Sequence, residues 1–373
     1  MAGIYFHIPF CKKACHYCNF FFTTSLRFRE KLVPALIQEM ELRPKYIEGQ
    51  TIQSIYFGGG TPSVLPASDI QLLIDAVYDR YELDRNVEIT IEANPDDLTY
   101  DYLLSLKDTE INRLSIGIQS FHDDELKWMN RAHDSMEAEK SLELCRKLNF
   151  DRYSLDLIFG IPQSSDERWM ENMNKALSYK PDHISCYALT VEEKTAYHKH
   201  IEQGKSIAPP DELSEKQFYQ CHDFLSKNGY EHYEISNYSL EGSRSKHNSS
   251  YWSGSPYLGI GPAAHSYDGK NRGWNVSNMV KYLDGIENKE LPFNEEILSD
   301  HDRYNEYIMT AVRRIEGISI PFLQENHSLF ESHFQESILS IPQEYFIQDK
   351  DSIRLSRKGL IFADFVGSML FKV

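Results

Sequence analysis

Six cysteines in 373 residues are too few and too scattered for a disulfide framework. Long apolar runs are also missing, since none approaches the roughly 18–20 residues that span a bilayer. No charged segment followed by an apolar stretch leads the chain, so no secretory signal is expected and the cytoplasm is the expected compartment. Positive charge is in deficit: 39 Lys and Arg against 56 Asp and Glu give a net charge of −17. That balance disfavours nucleic-acid partners, which need dense basic surfaces. No internal repeat or low-complexity segment is visible. A chain of this length fits one large domain and a smaller one.

A fourth cysteine is absent where one would be expected. Cys11, Cys15 and Cys18 sit in the run His7-Ile-Pro-Phe-Cys-Lys-Lys-Ala-Cys-His-Tyr-Cys, and the next cysteine is Cys145. Zinc and ordinary iron–sulfur sites recruit four protein ligands. Three thiolates spaced C-x3-C-x2-C therefore leave a bound metal one open position, where a substrate or cofactor can bind. A distorted zinc ribbon is the competing reading. It needs a second ligand pair, and Cys145, Cys186 and Cys221 are not spaced to supply one. Those three read as core residues.

The first half alternates short apolar runs with longer amphipathic stretches, the pattern of βα units on a parallel sheet. Strands are expected at Ile4–Ile8, Ile52–Phe57, Val87–Ile91, Arg113–Ile118, Tyr153–Ile158 and His183–Ala188. Helices are expected at about Phe28–Tyr46, Ser68–Tyr81, Tyr100–Lys107, Ser135–Leu148 and Asp166–Ser178, with Ser68 and Ser135 as N-caps. Six strands are two short of a closed eight-stranded barrel. The fold class is thus α/β, an open partial TIM-type barrel of six βα units over residues 1–235. Residues 236–299, rich in Gly, Ser, Tyr and Asn at their start, read as a loop-like connecting segment. Residues 300–373 read as a small, mainly helical domain with a winged-helix-like end.

The polar motifs follow the strands, where parallel barrels carry their chemistry. The cysteine loop follows strand one, Gly58-Gly-Gly-Thr-Pro62 strand two, Glu92-Ala-Asn-Pro95 strand three and Gln119 strand four. Asp156 lies inside strand five. Three glycines let backbone amides approach a ligand, but no Lys-Ser/Thr follows, so a P-loop is disfavoured. A carboxylate at Glu92 suits ribose hydroxyls, with a solvated strand-end acid as the plain alternative. Gln119, Arg131 and Asp156 are each unremarkable alone, although Asp156 stands among core-facing Leu155, Leu157 and Ile158.

The cysteine spacing resembles the signature of the radical S-adenosylmethionine enzymes, which implies a [4Fe–4S] cluster whose open iron binds S-adenosylmethionine. Tyr5-Phe-His-Ile-Pro-Phe-Cys11, Gly58-Gly-Gly-Thr-Pro62, Ser115-Ile-Gly-Ile-Gln-Ser-Phe121 and Asp156-Leu-Ile-Phe-Gly-Ile-Pro162 resemble the oxygen-independent coproporphyrinogen III oxidase family over nearly the whole chain. That resemblance implies cofactor contacts at Tyr5, Tyr17, Gly59, Gly60, Thr61, Glu92, Gln119, Arg131 and Asp156, and an electron donor for the cluster. Two departures set the chain apart from the oxidases of that family. Phe20 stands where they have a further cysteine, and the chain starts almost at its first strand, where they carry an extension. Both features resemble a heme-chaperone branch, and His247-Asn-Ser-Ser-Tyr-Trp252 matches its H-N-x-x-Y-W motif. That match implies heme as a further ligand, His247 as the axial group and respiratory apoproteins as heme acceptors. An ordinary loop histidine is the plainer reading of His247. Coproporphyrinogen decarboxylation remains the alternative activity, and a peripheral membrane contact and a homodimer stay open.

Overall fold

The computed structural model describes residues 1–150 and 152–372. Strands β1 (Ala2–Ile8), β2 (Ile52–Gly59), β3 (Leu83–Ala93), β4 (Arg113–Gln119), β5 (Tyr153–Phe159) and β6 (His183–Ala188) pair in parallel in chain order. Helices Arg29–Leu42, Ala67–Tyr78, Tyr100–Lys107, Ser135–Lys147 and Asp166–Ser178 alternate with them, and Asp211–Lys227 follows β6. The sheet stays open, as an arc of six βα units. Two helix starts differ from expectation by one or two residues. Ser68 and Ser135 lie inside their first turns, because Pro66 occupies the first N-cap and Asp134 caps the second in a reciprocal box with Glu137.

Alternation along each strand separates two surfaces. Ile4, Phe6, Ile8, Ile55, Phe57, Ile89 and Ile91 are fully buried in the main core, with Phe6 stacked on Phe57 at 5.0 Å. Burying each such side chain contributes roughly 1.5–3 kcal/mol. The intervening positions, Tyr5, His7, Tyr56, Glu92, Ser115 and Asp156, are polar and form the concave side of the arc.

The sheet continues past both ends of this arc to twelve strands, in the order β12-β11-β10-β9-β1-β2-β3-β4-β5-β6-β8-β7. β7 (Glu231–Glu234) and β8 (Asn237–Ser239) add antiparallel strands beyond β6. On the opposite side, β9 (Tyr257–Ile260) runs parallel to β1, followed by antiparallel β10 (His265–Tyr267), β11 (Asn271–Asn275) and β12 (Phe293–Ile297). Residues 236–299, expected as a connecting segment, therefore build much of the sheet. Their strands are three to five residues long and carry Gly, Asn and Ser. Such strands form by pairing with an existing edge and leave little periodic signal in the sequence.

One buried carboxylate joins this extension to the barrel. Glu39 accepts hydrogen bonds from Arg43 (3.1 Å), the Gly261 amide (2.8 Å), Asn275 (2.7 Å) and the Tyr282 hydroxyl (2.6 Å). Arg43 also donates to the Gly259 carbonyl and the Ser266 hydroxyl, each at 3.0 Å.

Strands β13 (Ile318–Ser319), β14 (Phe346–Gln348) and β15 (Ser352–Leu355) form a separate antiparallel sheet in the order β13-β15-β14. Tyr304, Ile308, Phe334, Val366 and Leu370, from the surrounding helices, fill its own apolar core. Among the described residues no helix is long and apolar enough to cross a membrane.

Candidate cofactor site

The segment after β1 is held in place by hydrogen bonds rather than by regular structure. The Cys11 amide donates to Thr23 O (3.0 Å) and the Thr23 amide to Pro9 O (2.7 Å). Asn130 donates to Ala14 O (2.8 Å), His16 bonds Trp128 O (2.7 Å), and Lys12 pairs with Asp96 and Asp97. The loop therefore bridges the carboxyl ends of β3 and β4.

Cys11, Cys15 and Cys18 line one cavity of about 410 Å³ at the carboxyl ends of the strands. Tyr17, Gly59, Gly60, Thr61, Glu92, Gln119, Arg131 and Asp156 line it too. Burial pushes the Cys18 thiol up to about 11 and raises Cys11, with the Thr61 hydroxyl opposing at 3.5 Å from the Cys11 sulfur. Burial thus disfavours bare thiolates at Cys11 and Cys18, and a cationic cluster core would reverse that preference. Among the described residues no three His, Cys, Asp or Glu side chains converge on a single-ion site. Three thiolates facing one roomy cavity suit a cluster in which each sulfur takes a different iron.

Glycines are required at two positions. Gly59 has φ +109°, and a Cβ there would lie 2.7 Å from the His7 ring. At Gly60 a Cβ would lie 2.8 Å from the Phe10 carbonyl oxygen, while its amide donates to Ile8 O at 2.8 Å. Glu92 accepts from the Tyr56 hydroxyl (2.9 Å) and the Gly59 amide (3.2 Å). Burial raises its pKa to about 7, and the charge of Asp156 adds to the rise. Asp156 is itself raised by burial, opposed by hydroxyl donors including Ser115 at 3.3 Å and by the charge of Arg113. Gln119 follows an irregularity in the β4–β5 pairing and has φ 67°, a strained conformation for a residue other than glycine. Arg131 donates to Asn94 (2.6 Å) and Gly117 O (2.8 Å) and lies 3.4 Å from both the Cys15 sulfur and the Tyr17 hydroxyl.

Sequence reasoning missed Asn94, Gly117, Tyr56 and Arg113. Asn94 belonged to a recognised motif, but its pairing with Arg131 joins loops 37 residues apart. A Cβ at Gly117 would meet Arg131 at 3.2 Å and Gln119 at 2.9 Å.

Two expected contacts lie elsewhere. Tyr5 lines a neighbouring cavity, bonded to His7 Nδ1 at 3.1 Å and stacked on Tyr56. His247 is 1% exposed. Its Nδ1 bonds the Ser54 hydroxyl (2.9 Å), its Nε2 bonds the Tyr251 hydroxyl (3.0 Å), and its ring stacks on Tyr56 at 4.8 Å. Burial lowers its pKa to about 3. Neither ring nitrogen is free.

An open βα arc with a three-cysteine loop at its carboxyl edge is the radical S-adenosylmethionine architecture, and residues 5–176 match the Radical SAM superfamily model. The chain is 32% identical over 357 residues to the heme chaperone HemW of Lactococcus lactis, covering 95% of this chain and 93% of that protein. It is also 32% identical over 380 residues to HemW of Bacillus subtilis, covering 99% and 100%. The chain belongs to the HemW family. Its fold is also that of the coproporphyrinogen III oxidase HemN from Escherichia coli, with a TM-score of 0.85 and 21% identity over 100% of this chain and 90% of that one.

Proposed function

We propose that the chain is a cytoplasmic heme chaperone that carries a [4Fe–4S] cluster, binds S-adenosylmethionine and passes heme to apoproteins. Near full-length similarity to curated proteins named heme chaperones carries this reading. Cys11, Cys15 and Cys18 are the cluster ligands. The Gly59–Gly60 backbone and Glu92 face the cavity where the cofactor's amino group and ribose need acceptors, and Arg131 places a buried cation beside Cys15. When bound, cluster and cofactor supply one-electron chemistry. Glu92 orients its ligand through Tyr56 and the Gly59 amide, and with a pKa near 7 it accepts from hydroxyls in either protonation state. Heme is cargo in this reading, and the acceptor apoproteins supply its destination. His247 is the proposed heme-iron ligand, and its ligation requires its bond to Tyr251 to open.

The fold of an oxidase keeps propionate decarboxylation as the second reading. Phe20, exposed at the rim of the cavity, stands where those enzymes have a further cysteine. Anaerobic protein with a reconstituted cluster, a reductant and S-adenosylmethionine, offered either hemin or coproporphyrinogen III, separates the two. The expected result is saturable heme binding without vinyl products; robust decarboxylation without heme binding overturns the proposal.

A further inference from the structure

Below the cofactor cavity the side chains that face into the arc are polar, and four of them form one continuous hydrogen-bonded chain. Asp156, which lines the cofactor cavity, accepts from the Ser154 hydroxyl at 3.4 Å. Ser154 Oγ bonds His183 Nδ1 at 2.7 Å, and His183 Nε2 bonds the Tyr233 hydroxyl at 2.8 Å. Strand register sets up the first steps. Ser154 and Asp156 of β5 lie opposite His183 and Ser185 of β6, and alternate positions share one face. β7, the outermost strand on that side, supplies Tyr233. Ser154, His183 and Tyr233 are all buried.

The far end of the chain does not stop in the core. Tyr233 lines a second cavity, of about 500 Å³, where Met1 and Gln53 mark the amino ends of β1 and β2 and the exposed Ser253 and Glu316 bring it to the surface. Glu234, 2% exposed, lines it as well. Its Oε1 accepts from the Ser236 amide and from Asn237, whereas Oε2 has no partner among the described residues. Burial raises the Glu234 pKa to about 7, so this carboxyl exchanges its proton near neutrality. The chain thus joins two cavities at opposite ends of the strands, and each of its three inner members both donates and accepts. Burial, with the charge of Arg113 from β4 adding to it, holds the His183 pKa well below the usual histidine range. Its imidazole is therefore neutral, with one nitrogen to accept a proton and the other to give one up.

We propose that Ser154, His183 and Tyr233 form a proton relay through the floor of the arc, by which Asp156 exchanges its proton with water in the second cavity. The inference rests on the S-adenosylmethionine-binding reading of the cofactor site. Burial favours the protonated form of Asp156 in the ligand-free protein. S-adenosylmethionine is a sulfonium cation, and positive charge beside a buried carboxyl favours its ionised form. Asp156 then loses its proton while the mouth of its cavity is covered. It gives that proton to Ser154 Oγ, whose own proton passes to His183 Nδ1. The Nε2 proton passes to the Tyr233 oxygen, and the tyrosine proton leaves to water. One proton crosses and no electron moves. Each hydroxyl keeps one proton, His183 ends as its other tautomer, and the reverse transfer on ligand release restores it.

The test mixes the full chain, its cluster reconstituted anaerobically, with S-adenosylmethionine in a stopped-flow cell, in weak buffer near neutral pH. Cluster absorbance follows binding and an indicator dye follows protons, for wild type, Tyr233→Phe and His183→Gln. Far-UV circular dichroism and iron content verify folding. Tyr233→Phe removes only a hydroxyl, so it tests the relay even where His183→Gln fails to fold. Wild type should release protons as fast as it binds. The variants should keep wild-type affinity and final proton yield, with proton appearance slowed at least about tenfold relative to binding. Proton release that keeps pace with binding in Tyr233→Phe would overturn the relay, as would wild-type binding without proton release. Loss of affinity in a folded variant would also overturn it, by showing that the chain only props the cavity. A wild type that binds no S-adenosylmethionine would sink the cofactor reading itself, and the relay with it.

Discussion

Replacing Gly60 by Ala adds one methyl group at the point where the second βα loop meets the cysteine loop. That carbon would sit 2.8 Å from Phe10 O, 2.8 Å from Pro9 C and 2.9 Å from Ile8 O, whereas ordinary contact begins at 3.4 Å. All three are backbone atoms, so no rotamer change relieves the overlap. The two chains must part by about 0.6 Å, and the Gly60 amide bond to Ile8 O, now 2.8 Å, lengthens with them. Overpacking of this kind costs about 1–3 kcal/mol. Pro9 and Phe10 directly precede Cys11, so the displacement passes into the first cluster ligand. The variant should fold with a lowered melting temperature and take up well under half of the wild-type iron and sulfide on anaerobic reconstitution. Gly49→Ala is the control: its φ of +74° brings backbone strain, but nothing lies within 4 Å of the added carbon. That variant should lose stability and keep its cluster. Full iron content in Gly60→Ala with an unchanged melting temperature would refute the packing argument.

Cys15→Ala should abolish the cluster's visible absorbance and leave the far-UV circular dichroism unchanged, since two thiolates cannot complete ligation while the core is built elsewhere; full iron retention would show the ligand assignment to be wrong. Glu92 has a folded-state pKa near 7, above its unfolded value. The penalty for burying its charge is therefore absent at low pH, grows between about pH 4.5 and 7 and is full above. Glu92→Gln should accordingly stabilise the ligand-free protein by about 1–3 kcal/mol at pH 8 and by nothing at pH 4, read from denaturation midpoints; a pH-independent difference would exclude the titration as its cause. Glu39→Leu strands the buried Arg43 and should destabilise by about 3–5 kcal/mol. Faster hydrogen exchange in residues 257–275 should accompany it, and a loss below about 1 kcal/mol would show that the network is not what joins the extension to the barrel.

Spacing and periodicity alone carried a great deal. The strand positions, the three-cysteine loop and the motifs at the strand ends are local patterns, because a cluster loop needs its ligands close in sequence and a buried strand needs an apolar run. Eleven expected site residues, from Cys11 to Asp156, line one cavity because parallel βα topology brings all carboxyl ends to one side. Pairings between distant segments left no such trace. β9 joins β1 across more than 250 residues, and its few residues are strands only because an edge was there to pair with. The Asn94–Arg131 bond, the Glu39 network and the burial of His247 arise likewise from loops meeting in space. His247 is a single histidine in a polar run of the sequence. Packing alone occupies both of its ring nitrogens, with the Ser54 and Tyr251 hydroxyls, because hydrogen-bond partners are assigned by the tertiary fold.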